Sequence, residues 1–466
     1  MLKEFPQKGI DTQKIHELLD SYGKTDIKNS RGRLFTYFYD PGIKELDSFQ
    51  DIFLKFSNRN GMDYHAFPST LKLENDVVAM MGSLLHGTDN VSGSFTTGGT
   101  ESIILAMKAA RDTFLENHKG TPEVVLPVTA HPSFSKACEY LGLKEIRVNV
   151  DPYYRADIDA MEKKINENTA MIVGSAPSFP YGTIDPINKL SDLALQHNLW
   201  LHVDACVGGM ILPFLKRNGI DLPDYDFKLP GVISISVDLH KYGFTPKGSS
   251  VIMYNNSSYR RHQIYVNARW PGYPMSNAGI QATKSAGPLA GTWAILNYLG
   301  YDGYADLAKK TLNAYQTIRN GIEEIGYRIT GKPDATIFAF QDDNNSIFQT
   351  GAKMIEHGWY PQVQPSNKNL GFPSTIHLNI CPVHVEVADE FLEDLKSIHE
   401  SLTPDNESRE MAINPEEKTA DYLANLVRNS PDKKTLFFHM LYQLTPEKGE
   451  QIFRKITDMD FHPSQN

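Results

Sequence analysis

A chain of 466 residues, 41% hydrophobic and 22% charged, has globular composition and ample length for a large buried core. Its 46 basic and 56 acidic residues leave a net charge of −10 and form no basic stripe, which argues against a nucleic-acid surface. Cys138, Cys206 and Cys381 are odd in number and far apart, which argues against a disulfide framework or a zinc site and fits a reducing cytoplasm.

The N-terminal stretch Met1–Asp20 lacks the apolar core of a signal peptide. Thr12–Tyr22 reads as a short amphipathic helix, and residues 1–60 are expected to be an arm or extension. Apolar residues recur at helical spacing over Leu71–Leu85 and Thr100–Glu116. Short runs rich in β-branched residues follow: Glu123–Val128, Glu145–Val150, Ala170–Gly174, Trp200–Val203, Val232–Val237 and Ser250–Tyr254. Helical segments separate several of them, at Phe134–Leu141, Asp157–Asn166 and Ile187–Asn198. Such alternation predicts an α/β domain, about 61–310, with a mainly parallel sheet covered on both faces. The last two runs are joined by a loop too short for a crossover helix, which leaves antiparallel pairing open for one of them. Leu199–Leu215 is the most apolar stretch, but His202, Asp204 and two glycines interrupt it, so it is too short and too broken to span a bilayer.

A helical region from Gly291 to Leu299 continues through Tyr304–Ile325 into a smaller C-terminal domain, 311–466. That domain mixes strands (Thr336–Gln341, Ser374–Leu378) with helices (Val385–Leu402, Glu417–Arg428). The polar, proline-containing Thr403–Glu417 reads as a loop between the helices.

In open α/β sheets ligands bind beyond the carboxyl ends of the strands. Four expected strand ends carry a polar group: His131, Ser175, Asp204, and His240 with Lys241. Lys241, in Ser-Val-Asp-Leu-His-Lys-Tyr-Gly, is a candidate Schiff-base nucleophile activated by desolvation; taken alone it reads as a surface lysine on a turn. Asp204, directly after a buried strand, is costly unless a cation such as a protonated pyridine nitrogen pairs with it; its bland reading is a helix N-cap. Thr96-Thr97-Gly98-Gly99-Thr100-Glu101-Ser102 precedes a helix, so its backbone N–H groups suit an anion, although Thr97 or Thr100 serves equally as a plain cap. His131, in Thr-Ala-His-Pro-Ser-Phe, either stacks on a flat cofactor or hydrogen-bonds locally in its loop.

These segments occur in order with Gly-Ser-Ala-Pro, Gly-Thr-Ile-Asp-Pro, His-Val-Asp-Ala-Cys-Val-Gly-Gly and Lys-Tyr-Gly-Phe-Thr-Pro-Lys-Gly-Ser-Ser. Together they resemble the sphingosine-1-phosphate lyase family, within the fold-type-I, pyridoxal-5′-phosphate (PLP)-dependent decarboxylase-like enzymes. The resemblance runs from about Arg31 to Gly303. It implies a PLP cofactor on Lys241, with Asp204 at the pyridinium nitrogen and His131 on the ring. Gly98, Gly99, Thr100 and His240 would hold the cofactor phosphate. Tyr37 falls where the family has an active-site tyrosine, and Asn60 and Lys247 match its substrate residues. Two departures bear on the substrate. Asp63 stands where the family has a phosphate-facing histidine, with His65 the candidate to replace it, and Lys284 stands for an arginine. The implied protein is a homodimeric, cytoplasmic lyase without metal or transmembrane segment, cleaving a phosphorylated long-chain base to a fatty aldehyde and phosphoethanolamine. A PLP-dependent L-amino-acid α-decarboxylase is the alternative enzyme, and a catalytically silent PLP-fold scaffold the alternative outside enzymes.

Overall fold

The apolar runs of the sequence form the centre of a seven-stranded sheet, seen in a computed structural model that describes residues 5–27, 32–343, 347–366, 370–402, 418–429 and 444–461. Its strands are β1 (Ser92–Thr96), β2 (Glu123–Pro127), β3 (Lys144–Val148), β4 (Thr169–Ser175), β5 (Trp200–Asp204), β6 (Val232–Val237) and β7 (Ser250–Tyr254), in spatial order β1-β7-β6-β5-β4-β2-β3. Pairing is parallel from β3 through β2, β4 and β5 to β6. β7 runs antiparallel to both β6 and β1, so it is the member of the last pair that breaks the parallel pattern.

Alternation along each strand sends successive side chains to opposite faces. Val125 joins one apolar core while its neighbours Val124 and Leu126 join the other. The helices Gly99–Leu115 and Ser133–Leu141 cover the second face, and Pro68–Leu84, Ile187–His197 and Leu212–Arg217 cover the first. Leu201 and Val203 of β5 are wholly buried, each worth about 1.5–3 kcal/mol by leaving water.

Strand β1 went unnoticed in the sequence reading because Ser-Gly-Ser-Phe-Thr has little β propensity and no clean alternation. Tertiary packing makes it a strand: a Cβ on Gly93 would lie 2.6 Å from Met253 Sδ and 2.7 Å from the Ile252 carbonyl oxygen of β7. The expected helix Asp157–Asn166 is shorter, Ile158–Glu162. Asp157 caps it by accepting from Ala160 N–H at 3.0 Å, and Thr169 Oγ1 takes the Asn166 N–H at 3.0 Å just before β4. The helical region expected over 291–325 is the helix Gly287–Ile325, kinked at Gly300 (φ 58°).

The chain forms two compact units. One comprises residues 35–340 and 377–392; the other comprises 1–34, 341–376 and 393–466. Both units are assembled from separated stretches of chain, whereas the sequence reading divides it into consecutive segments. In the second unit Arg33 lies 3.9 Å over the Trp359 ring, and Trp359 Nε1 donates to Asp394 at 2.7 Å. The helices Ala420–Asn429 and Pro446–Asp460 pack through Leu423, Ala424, Val427 and Ile452. The expected loop Thr403–Glu417 lies outside the described residues. Among the described residues no helix is long and apolar enough to cross a membrane.

Candidate active site

β1 and β6 both run antiparallel to β7, so β1 points the same way as the parallel strands and its C-terminal end shares their edge. The polar groups that follow β1, β2, β4, β5 and β6 therefore meet, around a cavity of about 400 Å³ within the first unit. Gly98, Gly99, Thr100, His131, Ser175, Asp204, His240 and Lys241 all line it. Separate in sequence, these residues are brought together by the sheet order.

Gly99 opens the helix Gly99–Leu115 and has no room for a side chain: a Cβ would lie 2.8 Å from Cys206 Sγ and 2.9 Å from Asp238 Oδ1. Glu101, in the first turn, accepts from Thr97 N–H at 2.7 Å and from Ile280 N–H at 2.7 Å, fixing the glycine turn from both sides. Thr100 Oγ1 meets Ser133 Oγ at 2.9 Å, and Ser133 N–H donates to His131 Nδ1 at 3.2 Å. Burial holds the His131 ring below the usual imidazole pKa, so the accepting Nδ1 leaves the ring proton on Nε2.

At the end of β5, Asp204 Oδ1 accepts from Cys206 N–H at 3.0 Å and from Ser236 Oγ at 3.4 Å. The layer beneath is His202, fully buried, with Nδ1 2.8 Å from Ser234 Oγ and Nε2 3.2 Å from Ser236 Oγ. Burial brings the His202 pKa down to about 4.

Lys241 Nζ lies 3.0 Å from Asp238 Oδ2, and His240 Nε2 lies 3.8 Å from the same oxygen. Burial disfavours the Lys241 ammonium, but the Asp238 carboxylate outweighs it and the lysine pKa stands above its ordinary value. Asp238 is the member of this centre that sequence reading missed. An acid three residues before a lysine on a strand-end turn, in an otherwise apolar run, was the available signal.

The other expected site residues do not line this cavity. Lys247 Nζ donates to the Tyr37 carbonyl at 2.9 Å and lies 5.9 Å from the centre of the Tyr39 ring. Tyr37 stands at φ 63°, a region a bulky side chain rarely adopts, with its side chain exposed. Asn60 Oδ1 accepts from Met62 N–H at 3.1 Å, closing its own turn. His65 is fully exposed with Nδ1 3.5 Å from Asp63, whose carboxylate accepts from His65 N–H at 2.9 Å and Ala66 N–H at 3.3 Å. Lys284 donates to the Phe95 carbonyl at the end of β1. Tyr39, two residues beyond Tyr37, is buried and packs edge-on against Tyr242 with ring centres 4.9 Å apart.

Residues 3–341 match the pyridoxal-dependent decarboxylase conserved domain. The chain is 36% identical over 461 residues to the sphingosine-1-phosphate lyase of Drosophila melanogaster, covering 95% of this chain and 81% of that protein. It is 35% identical over 350 residues to a probable L-tyrosine/L-aspartate decarboxylase of Methanothermobacter thermautotrophicus, covering 74% of this chain and 93% of that one. Among solved structures it resembles the sphingosine-1-phosphate lyase of Burkholderia pseudomallei with a TM-score of 0.81 and 35% identity, over 86% of this chain and 93% of the other.

The cavity fits a pyridoxal phosphate. Two buried polar atoms on its wall, Asp238 Oδ1 and His240 Nδ1, have no hydrogen-bond partner, which is costly unless a ligand supplies one. The free N–H groups of the helix at Gly99 suit a phosphate, and the volume lies within the usual range for cofactor sites. An acid at one strand end and a lysine at the next offer partners for a pyridine nitrogen and an aldehyde. The chain is a pyridoxal-phosphate-dependent lyase, and it belongs to the pyridoxal-dependent decarboxylase family, in its sphingosine-1-phosphate lyase branch.

Proposed function

We propose that this protein cleaves the C2–C3 bond of sphingosine 1-phosphate or a related phosphorylated long-chain base, giving a fatty aldehyde and phosphoethanolamine. The observation that carries this reading is near-full-length similarity to lyases of that name, at 36% identity over 95% of the chain. When bound, the cofactor supplies the sink for the electron pair released as the bond breaks.

The residues divide the work by position. Lys241 holds the cofactor through its amine, and Asp204 keeps the ring nitrogen protonated. His131 packs on the ring, held by Ser133. Gly98, Gly99, Thr100 and His240 bind the cofactor phosphate through backbone N–H groups and the imidazole. Tyr37 presents its hydroxyl to the reacting end of the substrate, while Lys247, Lys284, Asn60 and His65 bind the substrate phosphate. Lys247 Nζ donates to the Tyr37 carbonyl, which sets its ammonium beside the segment that carries the tyrosine. A homodimer in the cytoplasm completes this reading: Tyr37 and His65 are exposed, which leaves their side chains open for a second copy to cover. Sedimentation giving an active monomer rules out the dimer.

The experiment supplies purified protein with sphingosine 1-phosphate and with a panel of L-amino acids, assaying aldehyde and carbon dioxide side by side. Aldehyde from the phosphorylated base alone is expected. The second reading, an L-amino-acid α-decarboxylase, is favoured by the similarity to the M. thermautotrophicus protein and takes over if carbon dioxide alone appears.

A further inference from the structure

We propose that Asp238 is the counter-ion that orients Lys241 in the cavity and takes its proton when the lysine condenses with the cofactor aldehyde. The proposal rests on reading Lys241 as the cofactor lysine, and makes Asp238 a positioning residue acting through it.

The geometry is that of a buried ion pair. Asp238 is 4% exposed, and its Oδ2 lies 3.0 Å from Lys241 Nζ. Its other oxygen has no hydrogen-bond partner and faces the cavity wall at Gly99. A buried carboxylate with one unsatisfied oxygen costs free energy unless a ligand or a proton supplies the missing partner. The backbone fixes the pair: Lys241 N–H donates to the Asp238 carbonyl at 3.3 Å, so acid and lysine share one turn after β6. Other groups bear on the same amine. Tyr39 faces it from the N-terminal segment, and Cys206 and Asp204 from the end of β5. His131 faces it from the loop after β2, with Lys247 and His240 on its own side. Asp238 contributes the largest opposing charge among them, and its own pKa is lowered by Lys241 and His240 although burial pushes it up.

The consequence is chemical. An ammonium cannot add to a carbonyl. One proton must pass from Lys241 Nζ to the Asp238 carboxylate before the free amine forms a C–N bond with the aldehyde carbon. The two remaining N–H hydrogens then leave with the aldehyde oxygen as water. Asp238 becomes neutral in that step.

The test uses full-length protein freed of cofactor and reloaded with pyridoxal 5′-phosphate, comparing the wild type with Asp238→Asn. Loading is followed by absorbance across pH, and the reactivity of Lys241 in the empty protein by amine labelling and peptide mapping. Removing the carboxylate should shift the midpoint of Lys241 labelling to lower pH by about 1–3 units, the usual effect of an opposite charge at this range. The loading profile should move in the same direction, with a lower plateau because the amine is no longer held or relieved of its proton. A purely structural role would lower thermal stability or total loading without moving either midpoint, and unchanged midpoints overturn the proposal. Asp238→Ser, a smaller replacement, gives the same readout if the asparagine variant does not fold. Borohydride reduction of loaded wild type separates the two levels of inference: an adduct on another lysine defeats the reading of Lys241, whereas an adduct on Lys241 with unmoved midpoints defeats only the role of Asp238.

Discussion

The strand-end centre and the outer loop residues proposed to meet the substrate, in the same unit, are built in opposite ways. At the centre, Asp204, Asp238, His131 and Lys241 sit on short turns directly after strands, and neighbours in the fold hold them from below or beside. His202 and Ser236 support Asp204, and Asp238 supports Lys241. The outer residues Tyr37, Asn60, His65, Lys247 and Lys284 come from loops, and their polar atoms are engaged with backbone carbonyls or their own turns. The centre is preorganised by the sheet. The outer group, to which the proposed function assigns substrate recognition, lies on loops, where a change of residue is tolerated more easily. The histidine-to-acid change at Asp63 falls in this second region.

The largest expected effect comes from the centre. Lys241→Ala should abolish the borohydride-trapped adduct and lower turnover by roughly 10³-fold or more, as removal of a covalent catalyst does. A variant retaining near-normal turnover would erase the distinction between the two regions.

The support beneath the centre predicts an acid-sensitive fold. His202 titrates at about 4 when folded, below its ordinary 6.5, because burial disfavours the charged ring. The unfolded chain therefore binds a proton that the folded one refuses between those values. Stability is complete above about pH 6.5 and is lost as pH falls toward about 4, by on the order of 3 kcal/mol. His202→Gln should flatten the fall in melting temperature over that window; an equally steep fall would show that the ring is not its source.

Next in size is Lys247→Ala. Loss of a charged hydrogen bond to the substrate phosphate, roughly 1.5–3 kcal/mol, should raise KM for the phosphorylated base by about 10–150-fold. The absorbance of the bound cofactor should stay as it is. Unchanged KM counts against the assignment of this lysine to the phosphate.

The smallest effects belong at the exposed turn. Asp63 accepts two backbone N–H groups of its own turn, which hold its carboxyl below the usual range. With that carboxylate occupied locally, Asp63→His should change turnover of sphingosine 1-phosphate by no more than about threefold, within the ordinary scatter of surface substitutions. A large gain in turnover would place Asp63 against the substrate phosphate and sharpen the contrast in the other direction.

By itself the sequence determined the parts of the molecule whose causes are local or periodic. Val232–Val237 and Ser250–Tyr254 are legible to the residue, because continuous β-branched runs between turns can do little but bury themselves as strands. The strand-end positions of His131, Asp204, His240 and Lys241 were legible for the same reason, since a polar group closing an apolar run must lie at an edge of the core. Tertiary structure alone decided the rest. β1 became a strand by pairing with β7 across more than 150 residues of chain, against its own composition. The pairing of Asp238 with Lys241 is local to one turn, but Asp238 met the Gly99 turn only because the antiparallel β7 brings β1 alongside the parallel strands with its end at the same edge. Outward loops such as Asn60–Asp63 carry no periodic pattern, so their side-chain directions depend on which backbone groups nearby need a partner, and only folding supplies those neighbours.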